Sequence, residues 1–376
     1  MKIICLKENL KRSLDNALRI IKYNSTLPVL NNFLISVEKG MLKISSTDLE
    51  IGFTSWVPSK ILAEGSITAP AQLLSQFVSN LPNKNISLEV KDSKIYLNCD
   101  NINAVINGIS AENFPIIPKI KNEPVLVIHS KILKDSLNCV INSSAISDSR
   151  PEISSIYVKI NPDQIEFVST DSFRLAHKTI FVSSGDMKEK VKINSEISGK
   201  FIIPLRTAGE ILRILGDYND AVNITIDDSQ ILFDLDNIHL ISRLILGNYP
   251  DYEAIIPKSS ETKCYVSKKD LEESIRLSGC FSSKLNDVTF KTNLSKSQVE
   301  VLSSHSEHGN HNAKINAEIK GKDVSVVFNW RYFLDGLKNI EGDEIVLEFN
   351  GDIKPAVIKP AKNADFFYIL MPIRNS

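Results

Sequence analysis

Apolar residues recur along the chain at two periods, and the order in which those periods alternate is played three times. Helical spacing appears first over Lys7–Lys22, where Leu10, Leu14, Ala17, Leu18 and Ile21 share one side. It returns over Ser130–Ala145 with Leu133, Leu137, Val140 and Ile141, and again after Ser267, an N-cap type residue, with Leu271 and Ile275. A short apolar strand precedes each helix: Lys2–Leu6, Pro124–His129 and Thr262–Val266. A second helix is predicted in each stretch, at Pro70–Asn80, Pro204–Gly216 and Asn329–Lys338. Two of these open on proline, which suits a first helical turn. Alternating polarity marks hairpins between the helices, Asn32–Glu38 with Leu42–Ser46 and Ser155–Asn161 with Gln164–Thr170. Further strand pairs follow the second helices, Ile86–Val90 with Ile95–Asn98 and Val222–Ile226 with Ile231–Leu235.

The junctions keep the same spacing of about 125–135 residues. ENFPIIP (Glu112–Pro118) closes the first stretch and NYPDYEAIIP (Asn248–Pro257) the second. SSTDLE (Ser45–Glu50), VSTDSF (Val168–Phe173) and LSSHSE (Leu302–Glu307) mark equivalent strand ends. Self-similarity at this period means three copies of one α+β domain, over 1–122, 123–254 and 255–376. Each copy has two helices packed on antiparallel sheet.

Charge changes the picture only when it is divided by element. The 376 residues hold 44 Lys+Arg and 45 Asp+Glu, a formal net charge of -1, which excludes a DNA-coating protein of the histone type. The six predicted helices, however, carry 14 Lys+Arg against 8 Asp+Glu, leaving 30 against 37 elsewhere. On the first helix Arg12 and Arg19 lie opposite the leucines, Arg206 and Arg213 repeat that spacing, and Lys131, Arg331 and Lys338 project similarly. A cationic helical face with no groove-reading motif suits phosphate contact that ignores base sequence.

Other chemistry finds little support. Cys5, Cys99, Cys139, Cys264 and Cys280 are scattered without a CxxC pair, as expected of buried thiols in a reducing cytoplasm. Neither a signal-peptide core nor a membrane-spanning run is present. GxGxxG, GxxxxGK[ST] and GxSxG are absent, and no cofactor is implied. His305, His308 and His311 resemble a metal cluster only in composition, and an exposed hairpin loop explains them. Asp48, Glu50 and Asp171 follow strands at equivalent places, which fits capping or turn duty better than acid-base catalysis. Phe366–Leu370 reads as a buried strand, and Met371-Pro372-Ile373 beyond it as an apolar peptide-docking patch.

Taken together, TLPVLNNFLI (Thr26–Ile35), STDLE, ENFP, RPE (Arg150–Glu152), STDSFRLA (Ser169–Ala176), YPDY (Tyr249–Tyr252), FNWRYFLDGLK (Phe328–Lys338) and YILMPIR (Tyr368–Arg374) resemble the bacterial DNA polymerase III beta subunits, the sliding clamps, over essentially the whole chain. The resemblance implies a head-to-tail homodimeric ring with helices lining a central hole, threaded on double-stranded DNA without regard to sequence. It implies no catalysis and no metal. Arg12, Arg19, Lys131, Arg150, Arg206 and Arg213 are then the DNA-facing candidates. It also implies a pocket that takes short linear motifs from the replicative polymerase, the clamp loader and repair proteins. Carried over by position, that pocket comprises Ile153, Thr170, Ser172, Phe173, Arg174, Leu175, Pro250, Ile255 and Ile353, with Tyr368, Ile369, Leu370, Met371, Pro372, Ile373 and Arg374. Apolar members would seat peptide anchors, and Thr170 and Arg174 would orient them. Ser172 and Phe173 depart from the family's Gly-His, Asn24 stands where a basic residue is common, and Asn375-Ser376 extend the terminus. Two alternatives stand beside this: a three-domain interaction scaffold without nucleic acid, and a metal-dependent hydrolase built on His305–His311.

Overall fold

The computed structural model describes the chain except residues 23–26, 148, 183–189, 195–198, 364 and 374–376. Asn24, Arg374, Asn375 and Ser376 therefore lie outside the described residues. Among the described residues six α-helices match the six sequence periods: α1 (Lys7–Ile20), α2 (Ala71–Ser79), α3 (Ser130–Ile141), α4 (Leu205–Ile214), α5 (Lys268–Gly279) and α6 (Trp330–Lys338). Leu10, Leu14, Ala17 and Ile20 bury one face of α1, and Leu271 and Ile275 do the same for α5. Two starts are fixed by side-chain caps. Ser267 Oγ accepts the Asp270 amide at 3.3 Å, and Asn329 Oδ1 accepts those of Arg331 and Tyr332 at 3.0 and 3.4 Å.

The two prolines expected inside α2 and α4 are instead the last residues of strands. Pro70 closes Ser66–Pro70 opposite Asn32, and Pro204 closes Gly199–Pro204 opposite Ser155. Both strands are the outermost of their sheets, where a missing N–H costs no ladder bond. α3 also stops four residues before the expected Ala145, and α4 passes into a single 3-10 turn at Leu215–Asp217.

Two compact units organise the chain: residues 1–132, 189–194 and 209–244, and residues 133–188, 195–208 and 245–376. The middle repeat is divided between them because its strands hydrogen-bond into the sheets of its neighbours. In the first unit Ile238–Arg243 pairs antiparallel with Ile51–Val57, fusing a nine-stranded sheet, and a five-stranded sheet is centred on Asn85–Lys91. In the second unit Arg174–Phe181 pairs antiparallel with Phe366–Leu370, giving a twelve-stranded sheet. All the strand pairs are antiparallel among the described residues. Of the five cysteines, Cys5, Cys99 and Cys264 are buried, whereas Cys139 is half-buried and Cys280, at the C-cap of α5, is exposed. Burial pushes the Cys5 and Cys264 thiols up to about 12, so both stay protonated.

Packing in the second unit is tight where α6 meets the C-terminal strand. A Cβ on Gly336 would lie 2.6 Å from the ring of Tyr368, which is fully buried and whose hydroxyl donates to the Tyr332 carbonyl at 2.9 Å. Gly336→Ala gains about 1 kcal/mol of helix propensity, but overpacking against an anchored ring costs about 1–3 kcal/mol. The expected outcome is a net loss of stability in urea denaturation; a gain would show that the ring moves freely.

Candidate functional site

The residues assigned to the peptide pocket start with a turn. Thr170 ends its strand and donates its hydroxyl to the Arg174 carbonyl at 2.7 Å, while its Oγ1 accepts the Ser172 amide at 3.1 Å. Asp171 Oδ1 accepts the amides of Phe173 and Arg174 at 2.9 and 3.0 Å. This Asx-turn requires a left-handed residue, and Ser172 supplies it at φ +77°. The same arrangement surrounds Asp48, which accepts the Glu50 and Ile51 amides at 3.0 and 2.8 Å. Both aspartates are thus engaged in turns. In the third repeat His305 does part of that work: its Nδ1 accepts the Glu307 amide at 3.2 Å.

Beyond the turn, Arg174 pairs with Leu370 and Leu175 with Ile369 across the ladder, and the Met371 amide donates to the Phe173 carbonyl at 2.9 Å. The Ile373 amide donates to Val327 at 2.8 Å. Phe173 is therefore held beside Met371, with its side chain in water at 61% exposure. Met371, Pro372 and Ile373 are half-buried. Leu175, Tyr368, Ile369 and Leu370 have no exposed surface. They make the floor and have no face left for a ligand to touch. Leu175 and Ile369 belong to a cluster with Tyr157, Val168, Ile202, Tyr252 and Val357. Leu175→Ala would consequently report core stability, at about 2–5 kcal/mol, more than binding.

The polar members also have duties within the fold. Thr170 is spent on the turn. Arg174, 11% exposed, donates Nε to Asp171 at 2.9 Å, pairs with Asp335 of α6 and stacks over the Tyr332 ring at 4.2 Å. It ties the second repeat to the third. Nothing local in the sequence marks Asp335 and Tyr332 for this contact, although both lie in the FNWRYFLDGLK segment. Ile153 is buried, with its carbonyl accepting the Ala145 amide at 2.9 Å in the loop after α3. Pro250 lines a cleft of about 310 Å³ with Tyr157, Lys200 and Tyr252, while Ile255 and Ile353 stand exposed.

Beneath the YPDY segment lies a buried polar network that the sequence did not reveal. Glu166 meets His177 Nε2 at 3.1 Å, accepts the Tyr252 hydroxyl at 3.2 Å and Gln164 Nε2 at 3.0 Å, and lies 3.6 Å from Lys159 Nζ. Its carboxyl is lowered to about 2, first by the hydrogen bond with His177, against the opposing effect of burial, and then by the charge on Lys159.

The DNA-facing candidates divide by their partners. Arg12, Arg19, Lys131 and Arg150 are exposed, and among the described residues none has a carboxylate within 4 Å. Arg213 pairs with Glu210, and Arg206 is half-buried and engaged. Many sheet lysines are neutralised, as Lys263 and Lys359 are by Glu348. α5 contributes no net charge, and its Arg276 pairs with Glu272. The histidine cluster does not converge either. His305 and His308 stack at a hairpin end, while His311 Nδ1 bonds Ser278 Oγ at 3.0 Å. Among the described residues no group of three or more His, Cys, Asp or Glu side chains is placed to hold a metal. No helix among them is long and apolar enough to cross a membrane.

Three repeats of two helices on antiparallel sheet, joined edge to edge and with exposed Arg12, Arg19 and Lys131 on helices of the first two, define a DNA clamp. Residues 1–118, 127–251 and 253–374 match the N-terminal, central and C-terminal domains of the DNA polymerase III beta subunit. The beta sliding clamp of Synechocystis is 28% identical over 388 residues, covering 100% of this chain and 99% of its own length. That of Bacillus subtilis is 27% identical over 385 residues, covering 100% of both. The crystal structure of the Bacillus subtilis DNA polymerase sliding clamp superposes with a TM-score of 0.94 at 26% identity over 100% of both chains. A Bartonella birtlesii sliding clamp bound to griselimycin gives 0.90 at 25%, again over 100% of both. The chain belongs to the DNA polymerase III beta subunit family, and its function is that of a DNA sliding clamp.

The Glu166 network sets a pH dependence with a definite sign. Its folded-state pKa lies below the ordinary 4.5, so its stabilisation is full above about 4.5 and disappears as pH falls toward 2. Urea unfolding at pH 7, 4.5 and 3 should show a loss of stability over the lower interval that Glu166→Gln reduces. Parallel losses in both proteins would remove Glu166 as the cause.

Proposed function

We propose that two copies of this chain close head to tail into a ring around duplex DNA and hold the replicative polymerase, the clamp loader and repair proteins through short linear motifs. Arg12, Arg19, Lys131 and Arg150, exposed and with no carboxylate within 4 Å among the described residues, carry this reading. Diffuse attraction to phosphate, bridged by water, retains DNA with little friction. The acidic balance elsewhere discourages wrapping. Domain limits at 122/123 and 254/255 belong to this reading, and the breaks between the family matches, at 119–126 and at 252, support limits in these neighbourhoods. Closure replaces tight binding, so the chain needs neither catalysis nor cofactor. Asp48 and Asp171 are consistent with this, being occupied as turn formers. Its place of work is then the DNA of the cytoplasm.

The peptide pocket of this reading is narrower than the family's list of positions. Phe173, Met371, Pro372 and Ile373 form its accessible wall over the floor of Leu175 and Tyr368–Leu370. Phe173→Ala with Met371→Ala should weaken a fluorescent leucine- and phenylalanine-bearing peptide by about ten-fold or more while leaving the mass in solution unchanged. Equal affinity would move the pocket elsewhere. For DNA, Arg12→Glu, Arg19→Glu and Lys131→Glu together should cut retention and flatten its dependence on salt, by about one unit of log-log slope per lost phosphate contact. An unaltered salt slope would favour the interaction scaffold without nucleic acid.

A further inference from the structure

The first repeat junction copies the second, bond for bond. Thr47 Oγ1 donates to the Ile51 carbonyl at 2.9 Å and accepts the Leu49 amide at 3.0 Å, as Thr170 does for Arg174 and Ser172. Leu49 holds φ +74° where Ser172 holds +77°. The Arg243 amide donates to the Glu50 carbonyl at 3.0 Å, as Met371 does to Phe173 at 2.9 Å. Even the connectors agree, with Ile116-Ile117-Pro118-Lys119 against Ile255-Ile256-Pro257-Lys258.

What differs is the lining. Gly52 replaces Leu175, and the room so released is taken by Ile117, whose Cγ2 would lie 2.8 Å from a Cβ added there, with Ile241 at 2.9 Å. Ile117 thus makes an apolar floor, and Leu49 and Ile116 stand above it at 48% and 94% exposure. The resulting cleft, about 220 Å³, is walled by Leu49, Ile117, Pro118 and Ile241, with Glu50 and Arg243 among its lining residues. Arg243 has no carboxylate within 4 Å among the described residues. On the other side of the connector lie Lys39, Lys43 and Lys119, and the one carboxylate there, Glu38, is already held by Lys43 and Lys119. Among the residues that line the cleft itself Glu50 is the one carboxylate, against Arg243, and the cationic excess comes from the three lysines beyond the connector.

We propose that this junction is a second peptide-docking site, which takes a short extended segment carrying apolar residues next to a carboxylate. Apolar side chains settle on Leu49, Ile116 and Ile117, and the carboxylate faces Arg243, where the other junction has the uncharged Met371. The inference rests on the peptide reading of the second junction, and the test separates the two.

Full-length protein with labelled isoleucine and leucine methyl groups would be titrated with acetyl-Leu-Asp-Leu-amide and with acetyl-Leu-Lys-Leu-amide. So short a ligand calls for roughly millimolar probe. The aspartate probe should shift the methyls of Leu49, Ile116 and Ile241, with the lysine probe about five-fold weaker, the worth of one exposed charge pair. Arg243→Glu should reverse that order, and Ile116→Asp, at a fully solvated position, should weaken binding with the fold intact. Silent methyls here, with a response at Ile255 and Ile373, would overturn this proposal alone. Equal response to both probes would overturn the assignment to Arg243. Silence at both junctions would overturn it together with the peptide reading.

Discussion

Everything in this molecule depends on sheet edges that a single repeat cannot satisfy. A two-helix domain with antiparallel strands leaves a strand whose N–H and C=O groups need a partner. Ile51–Val57 finds it in Ile238–Arg243, and Arg174–Phe181 finds it in Phe366–Leu370. These two ladders erase the border between repeats and divide the middle one between two compact units. They also set the chemistry beside them. The turn that feeds each strand is held by an aspartate, and the segment that leaves the partner strand is pinned to that turn by one backbone bond.

From this follows a division of labour among residues that look alike in the sequence. The floor of the pocket is core: Leu175, Ile369 and Tyr368 are buried because they lie on the joining ladder, and Arg174 locks repeats together through Asp171, Asp335 and Tyr332. In the proposed pocket the accessible surface is left to Phe173 and the half-buried Met371, Pro372 and Ile373. Cations divide in the same way. Many on sheets, such as Lys263 and Lys359, are spent on neighbouring carboxylates, and among the described residues those at Arg12, Arg19, Lys131 and Arg150 are not. A net charge of -1 is therefore compatible with a protein that holds DNA, because most of the cancellation occurs away from the helices.

Local pattern carried the helices, the hairpins and the threefold repeat, since all three rest on periodicities within about 15 residues or on direct recurrence. It carried the turn duty of Asp48 and Asp171 for the same reason. Contacts distant in sequence were out of its reach. Pro70 and Pro204 looked like helix starters because nothing local shows that their strands are outermost in a sheet. Arg174 looked available because Asp335 lies 161 residues away. Glu166 and His177 gave no sign of a shared network with Tyr252, which comes from the following junction. Cys280 was expected inside and lies outside, since one residue past a helix end decides its exposure.

The central claim is that closure, not affinity, keeps this chain on DNA. The most direct measurement loads the protein onto nicked circular DNA with a clamp loader, cuts the circle once, and follows the bound fraction by gel filtration. The account predicts retention on the intact circle and loss once an end is available, with no change in salt. Equal retention on cut and uncut DNA, or equal loss from both, would contradict it.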